Sequence, residues 1–231
     1  MRDVTLCLSF YINNSMLAEQ YRQLRALPAD LKTHLRLIVV DDCSPDPAWA
    51  EDLGLPMRLY RMQKDIAWNQ DACRNLAVKE AETDWVLMTD MDHIVPEQTW
   101  RRVITGSLDP NTAFRFARVS MPKRDAYKPH PNSWLMTTAV FEKAGGYDER
   151  FAGYYGTDGD FVGRLSAQAP IEQLKEHIIR YPREVIPDAS TTTLIRKSEE
   201  NGEAIKRIKA ERKLETDGRP KRYQTPWERI A

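Results

Sequence analysis

The sequence has little of what marks several classes of protein. Its three cysteines, Cys7, Cys43 and Cys73, are odd in number, lie far apart and include no Cys-x-x-Cys pair of the kind that holds zinc or exchanges disulfides. We therefore expect free thiols in a reducing compartment, the cytoplasm. No apolar run approaches the roughly 18 residues of a membrane-spanning helix. The first residues include Asp3 and no small-residue cleavage site, so they indicate a strand rather than a signal peptide.

The chain also has no excess of charge of either sign. Lys and Arg number 34, and Asp and Glu number 34, so a bulk electrostatic attraction to nucleic acid is not indicated. Hydrophobic residues make up 42% of the 231, which is enough for one sizeable core. We predict one domain over residues 1–195 and a basic helical tail over residues 196–231. For the tail we expect a solvated helix, with peripheral contact to an anionic surface as the alternative.

Strands and helices alternate along the first ninety residues. Residues 4–10, 35–40, 57–62 and 85–89 are apolar, β-favouring runs, and the segments after residues 13 and 69 place apolar residues at helical spacing. This alternation predicts an α/β fold with a mainly parallel central sheet flanked by helices, whose ligands collect at the carboxyl ends of the strands. Between residues 109 and 134 four prolines interrupt the pattern, so short strands and a loop are expected there.

Two of the buried strands end in acidic residues. Asp41 and Asp42 follow one strand, and Asp90 and Asp92 follow another. Because Asp90 and Asp92 are two residues apart, an extended backbone turns both carboxylates to one face. Convergent carboxylates suit a hard divalent cation, Mn²⁺ or Mg²⁺, which can also neutralise a departing diphosphate. A lone Asp-x-Asp is more often a solvated turn, but its position after a buried strand favours a metal site.

Four motifs in order resemble those of the family-2 inverting glycosyltransferases. Val-Val-Asp-Asp-Cys-Ser-Pro-Asp at residues 39–46 resembles the nucleotide-binding turn of that family, and Ala-Cys-Arg-Asn-Leu-Ala at residues 72–77 is similar to its Ala-Arg-Asn-x-Gly helix. Leu-Met-Thr-Asp-Met-Asp at residues 87–92 resembles its metal-binding motif. Gly-Gly-Tyr-Asp-Glu-Arg-Phe at residues 145–151 and Gly-Thr-Asp-Gly-Asp-Phe at residues 156–161 resemble the acceptor-side segment of the β-1,4-galactosyltransferase-like branch. The resemblance implies a GT-A (Rossmann-like) nucleotide-diphospho-sugar transferase fold, with residues 1–195 as the catalytic domain.

The same resemblance implies roles for particular residues. The donor would be a nucleotide diphosphate sugar, with UDP preferred, and the acceptor a hydroxyl on a glycan or another molecule. A hexose would pass from the donor to the acceptor. Donor-binding residues would be Asp41, Asp42, Arg74 and Asp90, and metal ligands would be Asp90, Asp92 and, at a position where related enzymes carry a histidine, Asp188. Asp158 would be the general base, with Asp160 in reserve, because a positioned carboxylate can take the proton of a weakly nucleophilic alcohol.

Aromatic residues offer a further kind of contact. Trp134, Tyr154 and Tyr155 are candidates for stacking on sugar rings, whereas Trp68 is expected to pack. His93 and His130 are expected to be turn or supporting residues rather than metal ligands.

Two rival functions stay open: a nucleotidyltransferase, although residues 10–14 are not the Gly-rich loop that such enzymes use, and a non-catalytic sugar-binding protein on the same fold.

Overall fold

A computed structural model of the chain describes residues 1–191 and 199–231. The strands in these ranges are β1 (Val4–Phe10), β2 (Leu35–Asp41), β3 (Met57–Met62), β4 (Trp85–Thr89), β5 (His93–Ile94), β6 (Ala113–Ser120), β7 (Asp125–Tyr127), β8 (Trp134–Thr137), β9 (Ile171–Arg180) and β10 (Trp227–Arg229). The helices are α1 (Asn14–Arg25), α2 (Ala29–Lys32), α3 (Gln70–Lys79), α4 (Glu97–Thr105), α5 (Thr138–Lys143), α6 (Asp158–Ser166) and α7 (Glu199–Leu214), with a 3-10 turn at Glu149–Phe151. None of the helices in the described ranges is long and apolar enough to cross a bilayer.

The strands form one mixed sheet in the order β10-β3-β2-β1-β4-β8-β6-β9-β5, and β7 pairs with β6. Strands β3, β2, β1 and β4 are parallel neighbours. Beyond β4 the sheet changes character, since β8 runs antiparallel to both β4 and β6, and β6 and β9 are again parallel. The expectation of a mainly parallel sheet therefore holds for one half of the sheet only.

Two apolar layers cover the two faces of the sheet. Successive residues of a strand point to opposite faces, so Leu6 and Leu8 of β1 join the layer that includes Tyr21 of α1, while Cys7 joins the layer that includes Leu76 of α3. Burial on both faces explains why the central strands are nearly continuous apolar runs. Because β1, β2 and β4 are parallel, their carboxyl ends reach one edge of the sheet.

The predicted bounds of several elements match the structure. Strands β1, β3 and β4 have the bounds given by their apolar runs. Helix α3 ends at Lys79, where Glu80 forms the C-cap, whereas the helical spacing predicts a helix from Asn69 to Glu82. Strand β9 was not predicted, because several of its side chains are exposed and its sequence shows no continuous apolar run.

The C-terminal segment is not a helix alone. The predicted boundary between residues 195 and 196 lies outside the described residues. Beyond it, α7 is followed by β10, which pairs antiparallel with β3 at one edge of the sheet. The backbone of Leu59 also bonds to the chain end, since its N–H donates to the carbonyl oxygen of Ala231 over 3.0 Å. Residues 227–229 are therefore part of the central sheet, and residues 230 and 231 bond to the backbone of Leu59.

Candidate active site

Two adjoining cavities open where the parallel strands end. The first, of about 350 Å³, is lined by residues that include Tyr11, Asp42 and Asp65, and we call it the Asp42 cavity. The second, of about 290 Å³, is lined by residues that include Asp90, Asp92 and Asp158, and we call it the carboxylate cavity. Five residues line both: Ser9, Asn13, Trp68, Gln70 and Thr191. The acidic ends of β2 and β4 therefore meet at one continuous cleft.

Asp42 is a buried acid with an unused hydrogen-bonding atom. Its Oδ2 accepts a hydrogen bond from the backbone N–H of Asn69 over 3.2 Å, while its buried Oδ1 has no hydrogen-bond partner among the described residues. Burial, with smaller contributions from Asp65 and Asp41, raises the pKa of Asp42 to about 8. A buried acceptor without a partner is costly, and a ligand N–H in the cavity would satisfy it.

Asp41 does not line the Asp42 cavity, so its predicted role as a donor-binding residue is corrected. Neighbouring residues of a strand end point in opposite directions, and Asp41 faces away from the cleft. Its Oδ1 accepts from the Ser44 N–H over 2.7 Å, and its Oδ2 accepts from the Ala48 N–H over 2.9 Å and from Arg61 Nη1 over 2.6 Å. Asp41 thus holds the turn after β2.

Asp90 lines the carboxylate cavity and forms an ion pair with the buried Arg74. Arg74 Nη2 donates to Asp90 Oδ1 over 2.7 Å, and His130 Nε2 lies 3.3 Å from Asp90 Oδ2. Burial alone would raise the pKa of Asp90, but the charges of His130 and Arg74 outweigh it and lower the pKa to about 2. Arg74 is only 4% exposed and does not line either cavity. Arg74 orients Asp90, and its contact with the diphosphate stays a prediction.

Asp92 lies in the same cavity beside His93. His93 Nδ1 is 2.6 Å from Asp92 Oδ1, and Arg180 Nε is 3.9 Å from Asp92 Oδ2. The rings of His93 and His130 lie 4.4 Å apart between their centroids. Within the described ranges, no three His, Cys, Asp or Glu side chains converge as a ready-made metal site. Two carboxylates on one wall still fit Mn²⁺ or Mg²⁺, which bind oxygen ligands and take the rest from substrate and water.

Asp158 and Asp160 point in different directions, because residues two apart on a helix do not share a face. Asp158 lines the carboxylate cavity, and its Oδ1 accepts a hydrogen bond from Asn132 Nδ2 over 2.8 Å. Burial raises the pKa of Asp158, although Arg74 and Asn132 oppose the rise. Asp160 is buried on the other side, where Arg212 donates to both of its oxygens over 2.9 and 2.6 Å. Asp160 is therefore wrong as a reserve base: it is an ion-pair partner.

Asp188 is also wrong as a metal ligand. Its Oδ2 accepts a hydrogen bond from the backbone N–H of Ser15 over 2.6 Å, and its Oδ1 accepts one from Met16 over 3.1 Å. Those N–H groups belong to the first turn of α1, which has no intrahelical acceptor for them. Asp188 caps α1 and is not part of the lining of the carboxylate cavity.

Only one of the three aromatic residues predicted to contact the sugar lines a cavity. Trp134 is fully buried in strand β8, and its indole N–H donates to the carbonyl oxygen of Pro131 over 2.7 Å, so its predicted sugar contact is wrong. Tyr155 lines the carboxylate cavity, whereas Tyr154 lines neither cavity. Trp68, expected only to pack, lines both cavities and lies 5.8 Å from Tyr155 between ring centroids. Its positive φ of 55°, rare for a large side chain, turns it into the cleft.

Several cavity residues escaped prediction altogether. Arg118, Lys128, Asn132 and Arg180 line the carboxylate cavity but belong to the proline-interrupted region and to β9, where the sequence shows no motif. Only the clustering of polar residues around His130 and Asn132 could have drawn notice. Asp148 and Glu149 hold the loop around them, since Asp148 accepts a hydrogen bond from the Arg150 N–H and Glu149 accepts one from the Tyr223 N–H.

A family profile decides the relationship. The profile described as Glycosyl transferase family 2 matches residues 5–167. The chain belongs to glycosyl transferase family 2. This family-2 chain is a glycosyltransferase, and its fold is GT-A. The profile ends before β9, α7 and β10, which lie outside the matched range.

Solved structures of similar fold include three with donor components. S. aureus TarS 1–349 in complex with UDP-GlcNAc has a TM-score of 0.65 at 18% identity, covering 93% of this chain and 67% of that one. The mannosyltransferase PcManGT from Pyrobaculum calidifontis, with GDP-Man and Mn²⁺, has a TM-score of 0.56 at 14% identity, and the match covers 78% of this chain and 59% of that one. GalNAc-T7 with UDP, GalNAc and Mn²⁺ has a TM-score of 0.61 at 11% identity, and the match covers 79% of this chain and 43% of that one. At these identities the likeness is one of fold, and no curated protein matched the sequence.

Proposed function

We propose that this family-2 chain is a metal-dependent inverting transferase that moves a hexose from a UDP-sugar to an acceptor hydroxyl. The observation that carries the proposal is the position of four carboxylates. Asp42 lines one cavity, and Asp90, Asp92 and Asp158 line the adjoining one. A nucleoside in the first cavity would extend its diphosphate and sugar into the second.

Asp42 supports binding of a base at one end of the cleft. Its buried Oδ1 lacks a described partner, and the imide N–H of a uracil is a donor of the required kind. Two of the similar structures contain UDP or UDP-GlcNAc and one contains GDP-Man. A guanine N–H would satisfy the same atom, so the base preference rests on the measurement given below.

Asp90 and Asp92 support a metal at the middle of the cleft, as do the Mn²⁺ ions in two similar structures. A bound divalent cation would stabilise the negative charge of the departing diphosphate. The chain prepares the site for it: Arg74 fixes the orientation of Asp90 over 2.7 Å, and His93 lies 2.6 Å from Asp92. Both carboxylates are therefore held on the cavity wall before a ligand enters.

Asp158 supports the chemical step at the acceptor end. A base must hold its lone pairs toward the acceptor, and the hydrogen bond from Asn132 to Asp158 Oδ1 leaves Oδ2 available for the acceptor hydroxyl. The raised pKa of Asp158 brings its proton affinity closer to what general-base catalysis near neutral pH requires. Attack from the side opposite the diphosphate would invert the anomeric carbon. Trp68 and Tyr155 would border the sugar at the junction of the cavities.

Thermal stabilisation tests the donor assignment. UDP, GDP, CMP and dTDP would each be added with Mn²⁺, with Mg²⁺ and with EDTA, since a ligand of the native state raises its Tm. We expect the largest rise with UDP and Mn²⁺, and release of UDP from a UDP-hexose pool under the same conditions. A rise of equal size for all four nucleotides, or one that is unchanged by EDTA, would contradict the proposal.

A further inference from the structure

The hairpin of β6 and β7 places positive charge at the rim of the carboxylate cavity. Residues 118–128, which we call the basic hairpin, contain Arg118, Lys123, Arg124 and Lys128 but a single acid, Asp125. Arg118 and Lys128 line the cavity, together with Arg180 of the neighbouring strand β9. Lys123 and Arg124 lie in the turn beyond. The rim is therefore basic although the chain as a whole has no net charge.

Tyr127 fixes the basic hairpin against β9. The Cζ atom of Arg118 lies 4.5 Å from the centroid of the Tyr127 ring, and that of Arg180 lies 5.4 Å from it. Such cation–π contacts hold a guanidinium against a ring face. Arg118 Nε also donates to the carbonyl oxygen of Lys128 over 2.7 Å. Buried Arg118 thus sets the position of Lys128 at the cavity mouth.

The cations of the rim differ in what they already contact. Arg118 Nη1 lies 3.0 Å from His93 Nε2, and Arg180 Nε lies 3.9 Å from Asp92 Oδ2, so both belong to the wall that holds the proposed metal ligands. Lys123 and Lys128 are exposed, and the ammonium group of neither makes a hydrogen bond or an ion pair to another residue in the described part of the chain. Their charge is available to a ligand.

Lys128 lies on the side of the cleft that leads to the proposed base. The cavity wall continues from Lys128 through His130 to Asn132, and Asn132 donates to Asp158. Asp42 lines the other cavity, at the opposite end of the proposed donor path. A molecule that delivers a hydroxyl to Asp158 would therefore pass Lys128.

We infer that the acceptor is an anionic glycan, with a phosphate or carboxylate group close to the hydroxyl that is glycosylated. Lys128 would pair with that group, and Lys123 would add to the field that attracts it. The inference rests on the proposed function, because it takes the Asp158 side of the cleft as the acceptor side. It goes further by naming the chemistry of the acceptor.

Binding of matched oligosaccharides tests the inference. Fluorescently labelled maltohexaose, phosphorylated maltohexaose and hexagalacturonate would be titrated against the whole chain with UDP and Mn²⁺ present, at low and high salt. The test variant is Lys123→Ala/Lys128→Ala. The control is Lys175→Ala/Lys213→Ala, which removes two exposed lysines that line neither cavity. We expect at least one anionic probe to bind more tightly than the neutral one, and the test variant to lose about tenfold in its affinity, since each exposed ion pair contributes a few-fold.

The remaining outcomes separate the inference from the proposed function. The control should bind the probes within about twofold of the natural chain, and both variants should keep the natural response to UDP and Mn²⁺. Equal binding of neutral and anionic probes, or equal loss in test and control variants, would overturn the inference. A test variant that loses UDP binding and probe binding together would also overturn it, because the lysines would then hold the donor diphosphate. Absence of any nucleotide response in the natural chain would instead count against the proposed function.

Discussion

Replacing Asp42 by Asn tests the most unusual group in the cleft. The pKa of Asp42 is raised to about 8 by burial, so the folded protein binds a proton that the unfolded chain has already released above pH 4. An acid of this kind makes the free energy of unfolding fall as pH rises from its unfolded pKa to its folded pKa. Asp42→Asn removes the titration but keeps an oxygen that can accept the hydrogen bond from the Asn69 N–H.

The size of the effect follows from the linkage relation. At about 1.4 kcal/mol per pH unit, levelling off near the folded pKa, Asp42 should cost about 2 kcal/mol of stability between pH 6 and pH 8. For a chain of this length that corresponds to a Tm lower by about 4–8 °C. Scanning calorimetry of the natural chain and the Asp42→Asn variant at both pH values would show it. Asp84→Asn, which alters an exposed acid, should follow the natural chain.

Nucleotide binding should show the opposite pH dependence. A base N–H donates a stronger hydrogen bond to the ionised carboxylate of Asp42 than to its protonated form, so UDP affinity of the natural chain should rise, by up to about fivefold, from pH 7 to pH 8, while that of Asp42→Asn stays low and flat. Parallel Tm profiles of the natural chain and the variant would refute the reasoning, since Asp42 would then titrate alike in the folded and unfolded states.

Three further substitutions probe the rest of the site. Asp158→Asn should lower turnover by about 10²-fold with UDP binding intact, and a normal rate would remove Asp158 as the base. Asp92→Ala should leave the Tm without ligands nearly unchanged but abolish the further rise that Mn²⁺ gives with UDP; a rise that persists would exclude Asp92 as a ligand. Arg212→Met should destabilise by about 1–3 kcal/mol, because Asp148 and Asp160 lose their shared cation but keep Arg150 and Arg164 as partners. The double variant Arg212→Met/Asp160→Asn should recover part of that loss in chemical denaturation, and equal stability of both variants would contradict the buried ion pair.

The acidic residues show how far local pattern reaches. A buried strand followed by acids places those acids at the sheet edge, and Asp42, Asp90 and Asp92 do lie there. The pattern does not show which way each acidic side chain points. Asp41 and Asp42 are neighbours with opposite orientations, and Asp158 and Asp160 occupy different faces of α6 because their spacing is two.

Distant partners account for the remaining errors. Asp188 looked like a ligand from its place along the chain, but the first turn of α1, more than 170 residues earlier, offers it two N–H groups. Trp134 looked like a sugar platform in a loop, but it pairs with Met88 in the middle of the sheet. No local periodicity records which segment will lie beside a given side chain.

The parallel half of the sheet and the acids at its edge could be predicted from local patterns, because alternation of apolar runs and helical spacing is a local property of the chain. The tertiary structure alone decided which carboxylates face the cleft, how β8 and β9 complete the sheet, and how the C-terminal segment returns to it. Arg212 illustrates the reason: it neutralises Asp160 from 52 residues away, and a charge acts on whatever the fold brings close, whatever its distance along the chain.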